Sequence, residues 1–164
     1  IDRIPDIGQS KWRIAPYILM CLPHQDIRSY SPLALAYVGD AVYDLLIRTE
    51  VVAEGNTQVN KYHRQVSSIV KAEAQAELMH WMLDALTEEE KDVYRRGRNA
   101  NSHTKAKNAT MGNYHLATGF EALIGYLYLT EQYARITDLL QIGRRRKAEA
   151  GTECVSSEDT TVED

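Results

Sequence analysis

The chain has 164 residues, 44% of them hydrophobic and 26% charged, which fits one ordinary domain and excludes disorder throughout. A domain of this size buries about two-thirds of its unfolded surface, enough for a core without disulfide or metal staples. The formal charge of −4 taken alone argues against a nucleic-acid binder, but Gly151 to Asp164 carry five acids and no base, and without them the balance is +1.

Residues 1–30, with prolines at 5, 16 and 23 and a short apolar stretch from Tyr17 to Leu22, read as a poorly patterned N-terminal arm. Ser31-Pro32 is a helix start, Ser as N-cap and Pro at the first position, where its missing N–H costs nothing. Leu33, Ala36/Tyr37, Ala41 and Leu45 then keep helical spacing to about Thr49, and Gly55 closes the unit. A long helix is expected from about Val59 to Leu86, with Val66, Ile69/Val70, Ala74, Leu78, Trp81/Met82 and Leu86 on its inner face. Thr87 followed by Glu90 is a capping box, and the helix it opens should end near Arg96-Gly97 on a left-handed glycine. Residues 97–113 have loop character. Asn113 is suited to cap a helix through about Thr130, and a last helix runs from about Glu131 to Gly143. The remaining 144–164, basic from Arg144 to Lys147 and then acidic, are expected to be disordered. With no internal repeat and no alternating strand segment, the fold class is all-α, a single domain over 31–143.

Two distant cysteines, Cys21 and Cys154, make neither a disulfide framework nor a zinc site, and a reducing setting suits them. No apolar run reaches the length of a bilayer span: Asp40 and Asp44 interrupt the stretch from Pro32 to Ile47. The N-terminus lacks the basic-then-apolar plan of a signal peptide. A soluble cytoplasmic domain with no membrane partner is expected.

Two acids stand in otherwise apolar helices, Asp40 within Leu-Ala-Tyr-Val-Gly-Asp-Ala-Val-Tyr and Glu121 within Gly-Phe-Glu-Ala-Leu-Ile-Gly. A carboxylate among core residues is costly unless paired or bound to a cation. If the two helices face each other, both carboxylates converge, which suits Mg²⁺ with its retained waters. Gly39 and Gly125 would let the backbones approach. The competing reading gives Asp40 and Glu121 salt bridges or the edge of an amphipathic face. Asp44, one turn after Asp40, either shares the site or is a solvated neighbour. From Lys91 to Met111 there are six bases and one acid, interspersed with amides and hydroxyls suited to phosphate and sugar oxygens. Beside carboxylates such a loop suits a nuclease; taken alone it is also a plain solvated loop. No zinc signature, nucleophilic triad or phosphate-binding Gly-rich loop is present.

Ala36-Tyr37-Val38-Gly39-Asp40-Ala41-Val42 resembles the signature helix of the ribonuclease III family. Together with Arg96-Gly97-Arg98-Asn99-Ala100 and Gly119-Phe120-Glu121-Ala122-Leu123-Ile124-Gly125-Tyr126-Leu127, in that order, it is similar to the Mini-ribonuclease III group, which has the catalytic domain without the double-stranded-RNA-binding domain. The resemblance spans about residues 31–143. It implies that Asp40 and Glu121 are the catalytic, metal-holding carboxylates of a Mg²⁺-dependent endoribonuclease acting on double-stranded RNA. It also implies a homodimer, with Leu33, Tyr37, Val38, Ala41 and Val42 divided between core and interface. Further family acids are replaced here by Leu33, Ala36 and Thr118. Without an appended module, Arg95, Arg98, Asn99, Ser102, Lys105 and Lys107, together with Lys71, are expected to grip the RNA by its phosphates. The group's work implies stems of the 23S ribosomal RNA precursor as substrate, presented with help from a large-subunit ribosomal protein. The alternatives are a catalytically silent RNA-binding or ribosome-assembly module and a different all-α Mg²⁺ hydrolase acting on nucleotides.

Overall fold

The structure, a computed structural model, describes residues 26–100 and 111–158, with side chains as far as Gly151. After a single 3-10 turn at Ile27–Ser29 come α1 (Pro32–Ala53), α2 (Val59–Val70), α3 (Ala72–Met82), a 3-10 turn at Leu83–Ala85, α4 (Glu88–Arg98), α5 (Met111–Leu129) and α6 (Tyr133–Glu158). No strand occurs among the described residues, so the fold is all-α, as the pattern predicts.

α5 is the axle. From Ala117 to Leu127 every residue except Glu121 is buried, because α1, α3, α4 and α6 all pack against it. Such an all-round apolar helix belongs in the middle of a bundle. Tyr43 of α1 meets Phe120 of α5 edge-on at 4.9 Å, a favoured aromatic geometry. The core continues through Leu35 and Ile47 of α1, Met79 and Met82 of α3, and Leu139 of α6.

Local signals behave as expected at two helix starts. The Ser31 hydroxyl accepts from the Leu33 N–H, with Pro32 in the first turn. Both arms of the Thr87–Glu90 capping box form, at 3.2 and 2.8 Å. Glu90, only 4% exposed, then receives Nε and Nη2 of Arg135 at 2.8 and 2.9 Å. Burial pushes its pKa up, but the Arg135 and Thr87 hydrogen bonds prevail and hold it below the usual glutamate value.

Four boundaries differ from expectation. The helix expected over 59–86 breaks at Lys71, whose backbone is extended (φ −65°, ψ 151°). The break lets α2 lie on α1 while α3 turns to pack between α5 and α6; its cause is tertiary, since no Gly or Pro marks it. Gly97 is inside α4, not a left-handed cap: a Cβ there would come 2.6 Å from the Ala122 Cβ, so this glycine serves a close crossing of α4 on α5. Asn113 is likewise inside α5, which is already helical at Met111. Gly143 does not end the last helix. A Cβ on it would come 2.7 Å from Leu78 Cδ1 and 2.8 Å from Met82 Cγ, so it serves the packing of α6 on α3, and α6 continues to Glu158. The stretch expected to be disordered from 144 is therefore helical that far. Its cations are anchored as well: Arg144 grips Glu50 at 3.1 and 2.7 Å, Arg146 bonds the Trp81 carbonyl at 3.1 Å, and Lys147 meets Glu77 at 2.7 Å. Residues 1–25 and 159–164 lie outside the described residues.

Candidate active site

The site is built by one helix crossing. A Cβ on Gly39 would fall 1.8 Å from the Glu121 carbonyl oxygen, and one on Gly125 would fall 2.0 Å from the Leu35 carbonyl oxygen. Only glycine permits this contact of α1 with α5. Asp40 directly follows one of these contact residues and Glu121 is another, so backbone contact brings both carboxylates to one place.

Their electrostatics bear this out. Burial first, and the Asp44 charge second, raise the Asp40 pKa above its ordinary value. Glu121 is pushed up to about 7, by burial first and then by the Asp40 charge, while a hydrogen bond from the Gln75 side chain pulls the other way. The two carboxyl groups thus titrate as an interacting pair, each disfavouring the charge of the other. Neither carboxylate forms an ion pair among the described residues. Asp44 is taken by Arg48 one turn on and faces the surface.

Gln75, on the first turn of α3, is 1% exposed. Its Oε1 is buried without a hydrogen-bond partner among the described residues, an unusual and costly state for an amide oxygen. Two carboxylates with the Gln75 amide oxygen nearby form a hard, all-oxygen donor set, which fits Mg²⁺. Among the described residues no group of three or more His, Cys, Asp or Glu gathers as a metal cluster. Where the family pattern carries further acids, Ala36 is buried in the core and the buried Thr118 satisfies its hydroxyl on the Tyr114 carbonyl at 3.0 Å. Gln75 escapes sequence reasoning because it lies in an Ala-rich run whose inner face was read through Ala74. The spacing Gln75, Leu78/Met79, Met82 marks it as inward-facing.

The expected phosphate-binding residues divide into three groups. Lys71 stands exposed at the α2–α3 break, one turn before Gln75, whose N–H bonds its carbonyl at 3.1 Å. Arg95, Arg98 and Asn99 gather at the C-terminal end of α4. There Arg95 lies 3.6 Å from Asp92, while the Arg98 guanidinium is 5.9 Å from the Tyr94 ring centre and bonds the Asn99 side chain at 3.3 Å. Arg98 and Asn99 line a cleft of about 490 Å³ with Gly112, His115 and Leu116, and the His115 Nδ1 is buried without a hydrogen-bond partner among the described residues. Ser102, Lys105 and Lys107 lie outside the described residues.

The outer face of α1 is apolar and uncovered. Tyr37 is 84% exposed and Leu45 65% exposed. With Val38, Val42, Tyr128 and Ile136 they border a cleft of about 700 Å³ that has Asp40 on its rim. None of Leu33, Tyr37, Val38, Ala41 and Val42 is fully buried; the core side of α1 is Leu35, Ala36, Tyr43, Ile47 and Val51.

An all-α bundle with two carboxylates brought together at a helix crossing is what the described residues present, and comparison with known proteins gives the class. The ribonuclease III domain model matches residues 33–132, so the chain belongs to the ribonuclease III family and is an endoribonuclease. Within the family its relatives are the Mini-ribonuclease 3 enzymes. That of Thermoanaerobacter sp. (strain X514) is 49% identical over 121 residues, covering 74% of this chain and 85% of the relative. That of Enterococcus faecalis is 52% identical over 118 residues, 71% and 89% of the two chains. A crystal structure of a protein from Fusobacterium nucleatum superposes with a TM-score of 0.67 at 33% identity, covering 72% of this chain and 96% of that one.

Proposed function

We propose that this endoribonuclease cleaves double-stranded RNA as a Mg²⁺-dependent homodimer, and that its substrates are stems of the 23S ribosomal RNA precursor in the cytoplasm, presented with a large-subunit ribosomal protein. The observation that carries the reading is the pair of neighbouring carboxylates, Asp40 and Glu121, at the glycine-tight crossing of α1 and α5. When bound there, Mg²⁺ supplies a more acidic water and charge neutralisation at the phosphoryl oxygen. The protein's own groups do the rest. Asp40 offers the more exposed oxygens; the Gln75 amide orients the Glu121 carboxylate. Glu121 gives up its proton when a cation arrives, because only the anion is a good ligand. Lys71, Arg95, Arg98 and Asn99, with Ser102, Lys105 and Lys107, hold backbone phosphates so that one phosphodiester lies over the carboxylates. Hydrolysis leaves a 5′-phosphate and a 3′-hydroxyl. The uncovered apolar face of α1 supports pairing with a second copy, which supplies a second site for the opposite strand.

The test is incubation of the purified protein and its Asp40→Asn variant with a long RNA duplex at low salt, with and without Mg²⁺. Metal-dependent cutting by the parent alone is expected. Equal cutting by Asp40→Asn, or cutting that ignores the metal, overturns the assignment.

A further inference from the structure

The cations of this protein are not spread evenly between paired and unpaired states. Among the described residues, Arg28, Arg48, Lys91, Arg95, Arg135, Arg144, Arg145 and Lys147 each meet a carboxylate. Arg96 and Arg146 bond backbone carbonyls, and Arg98 bonds Asn99. Lys61, Arg64 and Lys71 alone among the described lysines and arginines have neither an ion pair nor a side-chain hydrogen bond to a described residue. All three belong to α2 and its C-cap.

They also share one side of it. At about 100° per residue, Lys61, Arg64, Ser68 and Lys71 fall within an arc of about 80°, and the stripe runs about 15 Å along the axis. Val66, the buried residue of the helix, points away from them. α2 contains no acid. The flanking Glu54 and Glu73 pair with none of the three, although Glu54 shares a small polar cleft of about 240 Å³ with Lys61. A helix kept soluble by its charges mixes signs at spacings of three and four residues, as α4 does with Glu88–Lys91 and Asp92–Arg95. α2 keeps one sign and leaves it free.

The stripe is held and aimed. At its far end Gly55 turns the chain with φ +143°. There the Tyr62 hydroxyl donates to the Gly55 carbonyl at 2.8 Å and accepts from the Thr57 N–H at 2.9 Å, fastening the turn to the first residues of α2. At its near end the Lys71 carbonyl receives the Gln75 N–H, and the Gln75 side chain lies beside Glu121. The row of free cations therefore leads to the carboxylates.

We propose that α2 is a second track for the RNA backbone: Lys61, Arg64 and Lys71, helped by Ser68, bind successive phosphates of the duplex at a distance from the bond being cut. This rests on the reading of double-stranded RNA as substrate. It assigns Lys61 and Arg64 a part in holding that RNA and gives Lys71 its place as the end of the track nearest the scissile bond. Contacts of this kind read shape and charge, not sequence.

The test is the salt dependence of binding to a 30-base-pair RNA duplex in the absence of divalent metal, for the parent, for Lys61→Ala/Arg64→Ala, and for Arg145→Ala/Lys147→Ala as an equal loss of charge on α6. Each lost phosphate contact lowers the slope of log K against log salt by about 0.9, so the α2 variant is expected to lose about 2 from its slope. Its affinity at low salt should fall at least tenfold while the α6 variant stays near the parent. Thermal unfolding confirms that both variants are folded. In the cleavage assay KM should rise with kcat nearly unchanged. An unchanged slope for the α2 variant overturns the track, as does an equal change in both variants, which would mean that only net charge matters. Unchanged RNA binding with lost retention on phosphatidylglycerol vesicles would hand the stripe to a lipid surface and overturn it too. If the parent itself fails to bind duplex RNA, the substrate reading fails and the track with it; a parent that binds beside an α2 variant that binds equally refutes the track alone.

Discussion

Glu121 carries a cost that the cation-free protein cannot avoid. Its pKa of about 7, against 4.5 for an ordinary glutamate, means that the folded protein keeps a proton which the unfolded chain gives up earlier. The sign follows: the native state binds more protons through this window, so stability falls as pH rises from about 4.5 to about 7 and stays reduced above it. For a half-buried group the loss is on the order of 2 kcal/mol, or about 5 °C in Tm. Glu121→Gln should abolish cleavage and also raise Tm at pH 8 by about that amount. Added Mg²⁺ should stabilise the parent and not the variant. Calorimetry at pH 5 and pH 8 checks both, and equal pH dependence in parent and variant would assign the cost to another group. At this scale the sequence was legible where a residue contradicted its surroundings. Asp40 and Glu121 stand out because they are charged in apolar runs. Gln75 does not, because neighbouring alanines tolerate either an inward or an outward reading.

Helices were legible where their ends are governed locally and illegible where they are governed from a distance. Ser31-Pro32 and Thr87–Glu90 satisfy backbone groups within a few residues, so their meaning is contained in the local chain. The break at Lys71 has no local cause. It exists because α2 and α3 have different partners, and that information lies in α1, α5 and α6. Gly97 and Gly143 misled for another reason: the same missing Cβ serves a left-handed cap and a close helix crossing, and only the neighbour tells which. Gly39 was read correctly as a close approach, and its environment yields a sharp expectation. In Gly39→Ala the new methyl would overlap the Glu121 backbone, so α1 and α5 must separate. We expect destabilisation of about 1–3 kcal/mol and a loss of cleavage larger than stability alone explains, because the two carboxylates part with their helices. Denaturant melts beside cleavage rates test this; full activity would show that the crossing has slack.

For the whole molecule, the apolar outer face of α1 is the feature that a single chain leaves unfinished. Exposed apolar patches rimmed by polar groups mark interfaces, and this one has Asp40 on its edge. Leu45 is well exposed and outside the core, so Leu45→Glu should leave the helical content intact while converting a dimeric parent to monomer and sharply reducing cleavage of duplex RNA. Sedimentation equilibrium beside circular dichroism separates these effects, and a variant that remains dimeric would move the interface elsewhere.

The burial of α5 on every side has a consequence for the order in which the molecule comes apart. Opening free energies follow local packing, so amide protons from Phe120 to Leu127 belong to the last region to exchange with solvent. Those of α2, which buries Val66 alone, belong to the first. Warming or mild denaturant should therefore release the outer helix while the helix bearing Glu121 stays formed. With α2 as the RNA track proposed above, the hold on RNA would be lost while the helix that carries Glu121 is still formed.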